Sequence, residues 1–178
     1  MKIKTLDEQT INQIAAGEVI ENPASVVKEL VENAVDAGAS QIKVEVFSGG
    51  FQRIIVSDNG SGMNQQDALL CFTRHATSKI QKVEDLSYLS TMGFRGEALS
   101  SIAAISKVTL TTSYEAEGIK LEVEAGRVLS IDPSPRVQGS TIEVRSLFYN
   151  VPARKKFQKS VSGSSAEITK LMTFLSLA

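Results

Sequence analysis

Two short apolar runs joined by glycines constrain the fold of this chain more than any other feature. Isoleucine and valine alternate with charged residues over 42–46, and after Gly49-Gly50 a second run extends from Phe51 to Ser57. A period of two followed by a glycine turn predicts a β-hairpin with one buried face. The hairpin therefore indicates a sheet, and a layer of helices is expected to cover its apolar side.

Two helices are predicted before the hairpin. The first covers Leu6 to Ile20, where apolar residues gather on one side. The second begins after Asn22, a residue type that favours helix starts, and it has Pro23 in its first turn. Gly38 is placed to end this helix.

Strands are predicted to dominate the second half of the chain. Short helices are expected at 64–72 and 97–105, and the stretch from Thr73 to Ser90 is expected to be a mobile loop. Strands are predicted at 107–113, 118–124, 127–131 and 140–146. Residues 160–165 (SVSGSS) resemble a flexible linker, and a helical pattern follows over 166–178. This order predicts an α+β fold, a two-layer α/β sandwich with a mixed, largely antiparallel sheet.

Composition and charge exclude several classes of protein. The 178 residues include 19 Lys and Arg against 20 Asp and Glu, so the chain is not a globally basic nucleic-acid binder. The single cysteine, Cys71, is typical of a reducing compartment. No apolar stretch approaches the roughly 18 residues of a membrane span, and the N-terminus lacks a signal-peptide pattern. We expect a cytoplasmic protein without a membrane partner.

A polar stripe on the second predicted helix is the first candidate site. Glu29, Asn33 and Asp36 fall within about 60° of one another on a helical wheel. One interpretation is the solvated face of an amphipathic helix. The other is a ligand-facing stripe, in which Glu29 polarises a water molecule and Asn33 offers a neutral oxygen to Mg²⁺.

Glycine-bearing segments provide two more candidates. Asp58, Gly60 and Gly62 follow the second hairpin strand, where they form either a plain turn or a place where the backbone approaches a flat ligand closely. The second segment precedes a predicted helix start, where free N–H groups favour an anion such as phosphate. Its residues are Gly93, Phe94, Arg95, Gly96, Glu97, Ala98 and Leu99.

Two further features have plain alternatives. The basic residues Arg154, Lys155, Lys156 and Lys159 could contact a nucleic-acid backbone or complement the dipole at a helix end. His75 is the only histidine, and a lone histidine in a polar loop is more often a surface residue than a catalyst. Zinc is not expected, because no cysteine or second histidine lies near it.

Longer motifs surround these candidates and are more specific. They are NQIAAGEVIENPASVVKELVENAVDAGA at 12–39, RHATSK at 74–79, GFRGEAL at 93–99 and LFYNVPARKKF at 147–157. With Glu29-x-x-x-Asn33 and Asp58-x-Gly60-x-Gly62, they make the chain similar to GHKL ATPases and, within that class, to the MutL family of mismatch repair proteins. The resemblance implies the Bergerat ATP-binding fold, an α/β sandwich that contains a left-handed βαβ unit.

The resemblance also implies roles for individual residues. Glu29 corresponds to the general base that activates water, and Asn33 to the Mg²⁺ ligand. Asp58 corresponds to the carboxylate that binds the adenine amine, with Gly60 and Gly62 beside the base. The remaining implied ATP contacts are Thr77, Ser78 and Lys79 in a lid, Gly93, Phe94, Arg95, Gly96, Glu97, Ala98 and Leu99 in a phosphate loop, and Thr141 in support of the adenine pocket.

The family's partners and domains follow as expectations. The resemblance implies ATP or ADP with Mg²⁺, ATP-dependent homodimerisation, a mismatch-sensing MutS-type protein, downstream repair enzymes, weak DNA contact and association with the nucleoid during repair. Residues 1–178 are expected to form one N-terminal ATPase domain of a longer protein. A second small domain that supplies a lysine, and a C-terminal dimerisation domain, are expected outside it, so hydrolysis by this chain should be weak. The alternative is a nucleotide-responsive matchmaker whose hydrolysis is incidental.

Overall fold

A sheet with helices on one side forms the fold in the computed structural model, which describes residues 4–5, 7–74, 76, 96–115 and 117–177. The helices are α1 (Glu8–Val19), α2 (Pro23–Asp36), α3 (Gln65–Leu70), α4 (Ala98–Ala104), α5 (Pro152–Lys156) and α6 (Val161–Leu175). The strands are β1 (Ile42–Phe47), β2 (Arg53–Asp58), β3 (Lys107–Tyr114), β4 (Glu117–Glu124), β5 (Arg127–Pro133) and β6 (Gly139–Arg145). A 3₁₀ turn at Ser48–Gly50 links β1 to β2, which confirms the predicted hairpin.

The last strand in the chain lies in the middle of the sheet. The described strands are ordered β1-β2-β6-β3-β4-β5, and each neighbouring pair is antiparallel. Ile142 of β6 pairs with Val56 on one side and with Leu110 on the other. The α+β class and the largely antiparallel sheet are thereby confirmed. The insertion of β6 also brings its first residues beside the last residues of β2.

The apolar face of the sheet packs against the helices. Val56 and Val144 face the same side as Ile142, and all three are buried together with Leu30 of α2 and Ile102 of α4. Each fully buried side chain of this size contributes roughly 1.5–3 kcal/mol to folding. Within the described ranges, none of these helices has the length and apolarity needed to cross a membrane.

The opposite face of the sheet, called the open face below, is polar. Arg53 and Glu143 lie on it, 3.8 Å apart, and Lys107 pairs with Glu124 at 2.9 Å. Side chains alternate between the two faces along each strand, so of two adjacent residues one faces the helices and the other lies on the open face.

Helix α2 is bounded as the sequence predicts. The Asn22 side chain accepts the Ser25 N–H at 2.9 Å, and Pro23 occupies the first turn. At the other end Gly38 has a φ of 72°, a conformation that favours glycine, and its N–H donates to the Val35 carbonyl. These two ends fix where the polar stripe of α2 lies relative to the sheet.

The linker predicted at 160–165 is wrong. Ser160 caps α6, since its side chain accepts the Gly163 N–H at 3.2 Å, and the helix begins at Val161. Ser164 is buried and donates to the Gly49 carbonyl at 2.7 Å. Capping and this tertiary contact outweigh the flexible composition of the segment.

The basic segment of α5 docks partly on α1. Arg154 donates to the Ile20 carbonyl at 3.3 Å, and a Cβ added at Gly17 would collide with its guanidinium group. Gln158 donates to the Glu21 carbonyl at 3.0 Å. Arg154 therefore holds the end of α1, and together with Lys155 and Lys156 it lies in the last turn of α5.

Candidate functional site

The carboxylate of Asp58 is held in place at the end of β2. Its Oδ1 accepts the N–H of Gly60 at 2.8 Å and the N–H of Ser140 at 3.2 Å. Among the described residues, no donor reaches Oδ2. One oxygen is thus fixed by backbone, and the other is available to a ligand.

Three glycines bring backbone close to this carboxylate. A Cβ at Gly60 would lie 2.8 Å from the Ala37 carbonyl oxygen. At Gly62 and Gly139, with φ of 69° and 116°, a Cβ would collide with the carbonyl oxygens of Ser113 and Asp58 respectively. Only glycine fits these positions, because protein backbone fills the space that a Cβ would need. These three residues around Asp58 are called the glycine cradle below.

A small buried polar network supports the cradle. The hydroxyls of Ser140 and Thr112 are 2.9 Å apart, and Thr112 Oγ1 accepts the Met63 N–H at 2.9 Å and lies 3.2 Å from the Gly139 carbonyl oxygen, to which it can donate. Both hydroxyl residues are nearly or fully buried. The network joins β3, β6 and the loop after β2 on the helix-covered side of the sheet.

The Thr141 side chain, which the resemblance gives a supporting role in the adenine pocket, lies on the face opposite the Asp58 carboxylate. Its Oγ1 donates to Ser57 Oγ at 2.9 Å on the open face. Ser140, one residue earlier, shares the helix-covered face with Ile142 and contacts Asp58. The adjacent hydroxyls could have been told apart from the sequence, because strand alternation puts Ser140 on the face of the apolar Ile142.

The polar stripe of α2 ends next to the glycine cradle. Glu29, Asn33 and Asp36 are all half-buried. The Ser61 N–H donates to the Ala37 carbonyl at 2.9 Å, which joins the loop after Asp58 to the C-terminal end of α2. The structure therefore brings the C-terminal end of α2, which carries Asp36 of the stripe, next to the loop after Asp58.

The start of α4 is described only from Gly96 onward. Gly96 has a φ of 61°, the Glu97 carbonyl accepts from Ser100 Oγ at 3.0 Å, and Leu99 packs against the core. Ala98 is the first residue of the helix. The other predicted ATP contacts lie outside the described residues: Thr77, Ser78, Lys79, Gly93, Phe94 and Arg95. His75, expected to be a surface residue, lies outside them as well.

Arg136 is a site residue that the sequence interpretation missed. It lies in the loop before β6, which looked like a plain connection, and it donates to the Asp58 carbonyl at 3.2 Å. Burial lowers the pKa of the guanidinium, and the nearby Asp58 charge acts in the opposite direction. No sequence signal identifies it, because its contact depends on the insertion of β6 next to β2.

Other reactive groups are not assembled into a site. Burial raises the pKa of the Cys71 thiol to about 12, so the thiol stays protonated and is a poor nucleophile. Among the described residues, no three His, Cys, Asp or Glu side chains cluster closely enough to hold a metal ion.

Comparison with known families assigns the fold. A family model for histidine kinase-, DNA gyrase B- and HSP90-like ATPases matches residues 20–138. The chain belongs to this ATPase family. The match contains α2, Asp58, Gly60, Gly62 and Gly96, and the expected GHKL fold is confirmed.

Individual relatives point to the MutL branch. The chain is 53% identical to the DNA mismatch repair protein MutL of Desulforamulus reducens, over 99% of this chain and 28% of that protein. It is 54% identical to MutL of Thermoanaerobacter pseudethanolicus, over 99% of this chain and 29% of that protein. The chain thus spans under a third of these relatives, and the resemblance to MutL sequences is confirmed.

Solved structures give the same likeness. The MutL ATPase domain of Aquifex aeolicus complexed with ADP superposes with a TM-score of 0.67 at 36% identity, covering 86% of this chain and 54% of that one. The N-terminal domain of a DNA repair protein reaches 0.76 at 33% identity, covering 91% and 47%. The antiparallel sheet with one helical layer is therefore that of the ATPase family.

Proposed function

We propose that this chain is the ATP-binding head of a MutL-type mismatch repair protein and that it hydrolyses ATP slowly. The observation that best supports this proposal is the position of the Asp58 carboxylate. Its Oδ1 accepts hydrogen bonds from two backbone N–H groups beside the glycine cradle. A carboxylate accepts from the amino group of adenine, and the glycines let the surrounding backbone pack closely enough to hold that carboxylate in place. The likeness to an ADP-bound MutL ATPase domain supports this choice of nucleotide.

Ser140 takes the supporting role in the adenine pocket that the resemblance gave to Thr141. Its N–H donates to Asp58, and its hydroxyl belongs to the buried network with Thr112. Thr141 instead supports the strands from the open face. The pocket is therefore built from Asp58, Gly60, Gly62 and Ser140.

The α2 stripe supplies the chemistry in this proposal. Glu29 takes a proton from the water that attacks the γ-phosphate, and Asn33 offers its amide oxygen to Mg²⁺. Mg²⁺ commonly binds through one or two protein oxygens together with substrate phosphates, so a single amide fits a cation that arrives with ATP. When bound, the cation would supply positive charge to the triphosphate.

The remaining contacts follow from the family. Thr77, Ser78 and Lys79 would close over the triphosphate as a lid. The phosphate loop would run from Gly93 to Leu99, and its described part contributes the positive φ of Gly96 and the first turn of α4. Free N–H groups in such a loop favour phosphate.

The role of the longer protein rests on its relatives. We propose that ATP drives homodimerisation of two heads, which signals to a MutS-type sensor and downstream repair enzymes in the cytoplasm, with weak DNA contact. Residues 1–178 would belong to an N-terminal ATPase domain, and a lysine from a second domain would complete the site. Hydrolysis by the chain alone would then be slow.

Calorimetric titration with ATP and GTP in the presence of Mg²⁺ tests the nucleotide assignment. We expect ATP to bind more tightly than GTP, because guanine presents a carbonyl where adenine presents its amine. Asp58→Ala should weaken ATP binding by about 1–3 kcal/mol, the cost of an unpaired buried donor. Asp132→Ala, on exposed β5, is the matched control and should bind normally. An Asp58→Ala variant with wild-type affinity would show that the adenine assignment is wrong.

A further inference from the structure

Arg136 connects the two strand ends that carry the adenine pocket. Its guanidinium donates from Nη2 to the Asp58 carbonyl at 3.2 Å, from Nε to the Gly139 carbonyl at 3.2 Å, and from Nη1 to Thr141 Oγ1 at 2.6 Å. Thr141 Oγ1 donates onward to Ser57 Oγ at 2.9 Å. One side chain thus fastens the end of β2 to the start of β6.

Arg136 makes these contacts just beyond the end of the regular backbone pairing between β2 and β6. Regular pairing between β2 and β6 ends at Ser57 and Thr141, one residue before Asp58. Beyond that pair, the Ser140 N–H holds the Asp58 carboxylate and Arg136 holds the Asp58 carbonyl. The direction of the carboxylate therefore depends on contacts made from both faces of the sheet.

The geometry suits a fixed arginine better than a lysine. The planar guanidinium reaches three acceptors at once, whereas an ammonium group is a compact charge on a flexible stem. The group is half-buried beside the negative charge of Asp58, so the two attract. Nothing in these contacts places Arg136 on the nucleotide side of the sheet.

We propose that Arg136 is a positioning residue for adenine recognition, which sets the direction in which Asp58 Oδ2 faces the amino group of the base. This inference rests on the proposed function, since it needs an adenine at Asp58. Arg136 acts through Asp58 and Gly139 and does not touch the nucleotide. Its effect must therefore depend on the amino group of adenine.

Titration with two nucleotides tests this dependence. The probes are ATP and the triphosphate of the 6-unsubstituted purine nucleoside, which lacks the amine. Arg136→Gln should weaken ATP binding about tenfold and binding of the unsubstituted analogue by less than about twofold. In an Asp58→Ala background, Arg136→Gln should cause no further loss, because residues in one network are not additive. Arg136→Lys should give an intermediate ATP affinity.

A matched control lies on the same strand. Arg53→Gln removes an open-face arginine at the far end of β2 and should leave both affinities unchanged. Should Arg136→Gln melt below the assay temperature, Arg136→Lys carries the same comparison. Wild-type ATP affinity in Arg136→Gln, or equal losses for the two nucleotides, would overturn the proposal. A wild-type chain that binds both nucleotides equally would instead contradict the proposed function, and the role of Arg136 with it.

Discussion

At the scale of single residues, Gly62 and Gly38 distinguish two reasons for which a glycine is required. One is a positive φ, and the other is backbone that lies where a Cβ would be. The φ values of Gly62 and Gly38 are 69° and 72°, but a Cβ at Gly62 would collide with the Ser113 carbonyl oxygen, whereas one at Gly38 would meet nothing within 4 Å. Gly38→Ala should cost about 1–2 kcal/mol of stability and leave ATP affinity unchanged. Gly62→Ala should cost more and weaken ATP binding, because the loop after Asp58 has to move. Thermal unfolding and ATP titration measure both effects, and equal losses at the two positions would contradict the close-approach interpretation.

Which site residues could be predicted depends on how local their signal is. Glu29 and Asn33 share a stripe set by helical spacing, and Asp58 follows a recognisable strand, so the sequence identifies them as candidates. The resemblance gives the supporting role to Thr141, whereas strand alternation places the Ser140 side chain on the face of Asp58. Arg136 was out of reach, since its partners lie on β2 and β6, which are far apart in sequence and adjacent only after folding.

The contact between α1 and α5 gives a prediction at the scale of elements. Replacing a glycine by alanine inside a helix normally stabilises it by about 1 kcal/mol. At Gly17 this gain should be offset, because the new Cβ would displace the Arg154 guanidinium from the Ile20 carbonyl at the end of α1. The guanidinium is the mobile end of its side chain, so the cost is the lost hydrogen bond, about 0.5–1.5 kcal/mol, and Gly17→Ala should change stability by less than about 1 kcal/mol.

A double-mutant cycle isolates this effect. In an Arg154→Ala background, Gly17→Ala should stabilise the chain by about 1 kcal/mol, and the free energies of unfolding in denaturant measure the coupling. The same gain in the wild-type and Arg154→Ala backgrounds would contradict the packing of Arg154 on Gly17.

The helices and strands that could be predicted are those whose ends are marked by residues in their own sequence. Asn22, Pro23 and Gly38 bound α2 as expected, and the alternation over 42–46 marks β1. The helical pattern from residue 166 onward predicts most of α6, whereas its first turn was misjudged because it consists of serines, valine and glycine. That turn is held by the Ser160 cap and by the buried contact of Ser164 with Gly49. The order of strands was equally inaccessible, since the sequence does not show that β6 enters between β2 and β3.

Closure over the nucleotide is a prediction at the scale of the whole molecule. The lid residues Thr77, Ser78 and Lys79 lie outside the described residues, so the lid remains a prediction. Hydrogen exchange over 73–97 should slow in the order apo, ADP, non-hydrolysable ATP, because the γ-phosphate supplies charge that holds the segment. Identical exchange in the three states at saturating nucleotide would contradict the lid assignment.

The central claim is that the α2 stripe and Asp58 with its glycine cradle form one ATPase site. ATP hydrolysis by the full-length protein tests this claim. We expect Glu29→Ala to lower turnover by about 10²–10⁴, the usual contribution of a positioned general base, while the Kd for ATP changes only a few-fold. Glu45→Ala, on β1 and paired with Lys43 at 3.0 Å, is the control and should retain both. The decisive measurement is ATP turnover beside ATP affinity for these two variants. We predict that Glu29→Ala loses ATP turnover and keeps its affinity for ATP. Equal losses of turnover and affinity in this variant would contradict the assignment of Glu29 as the general base.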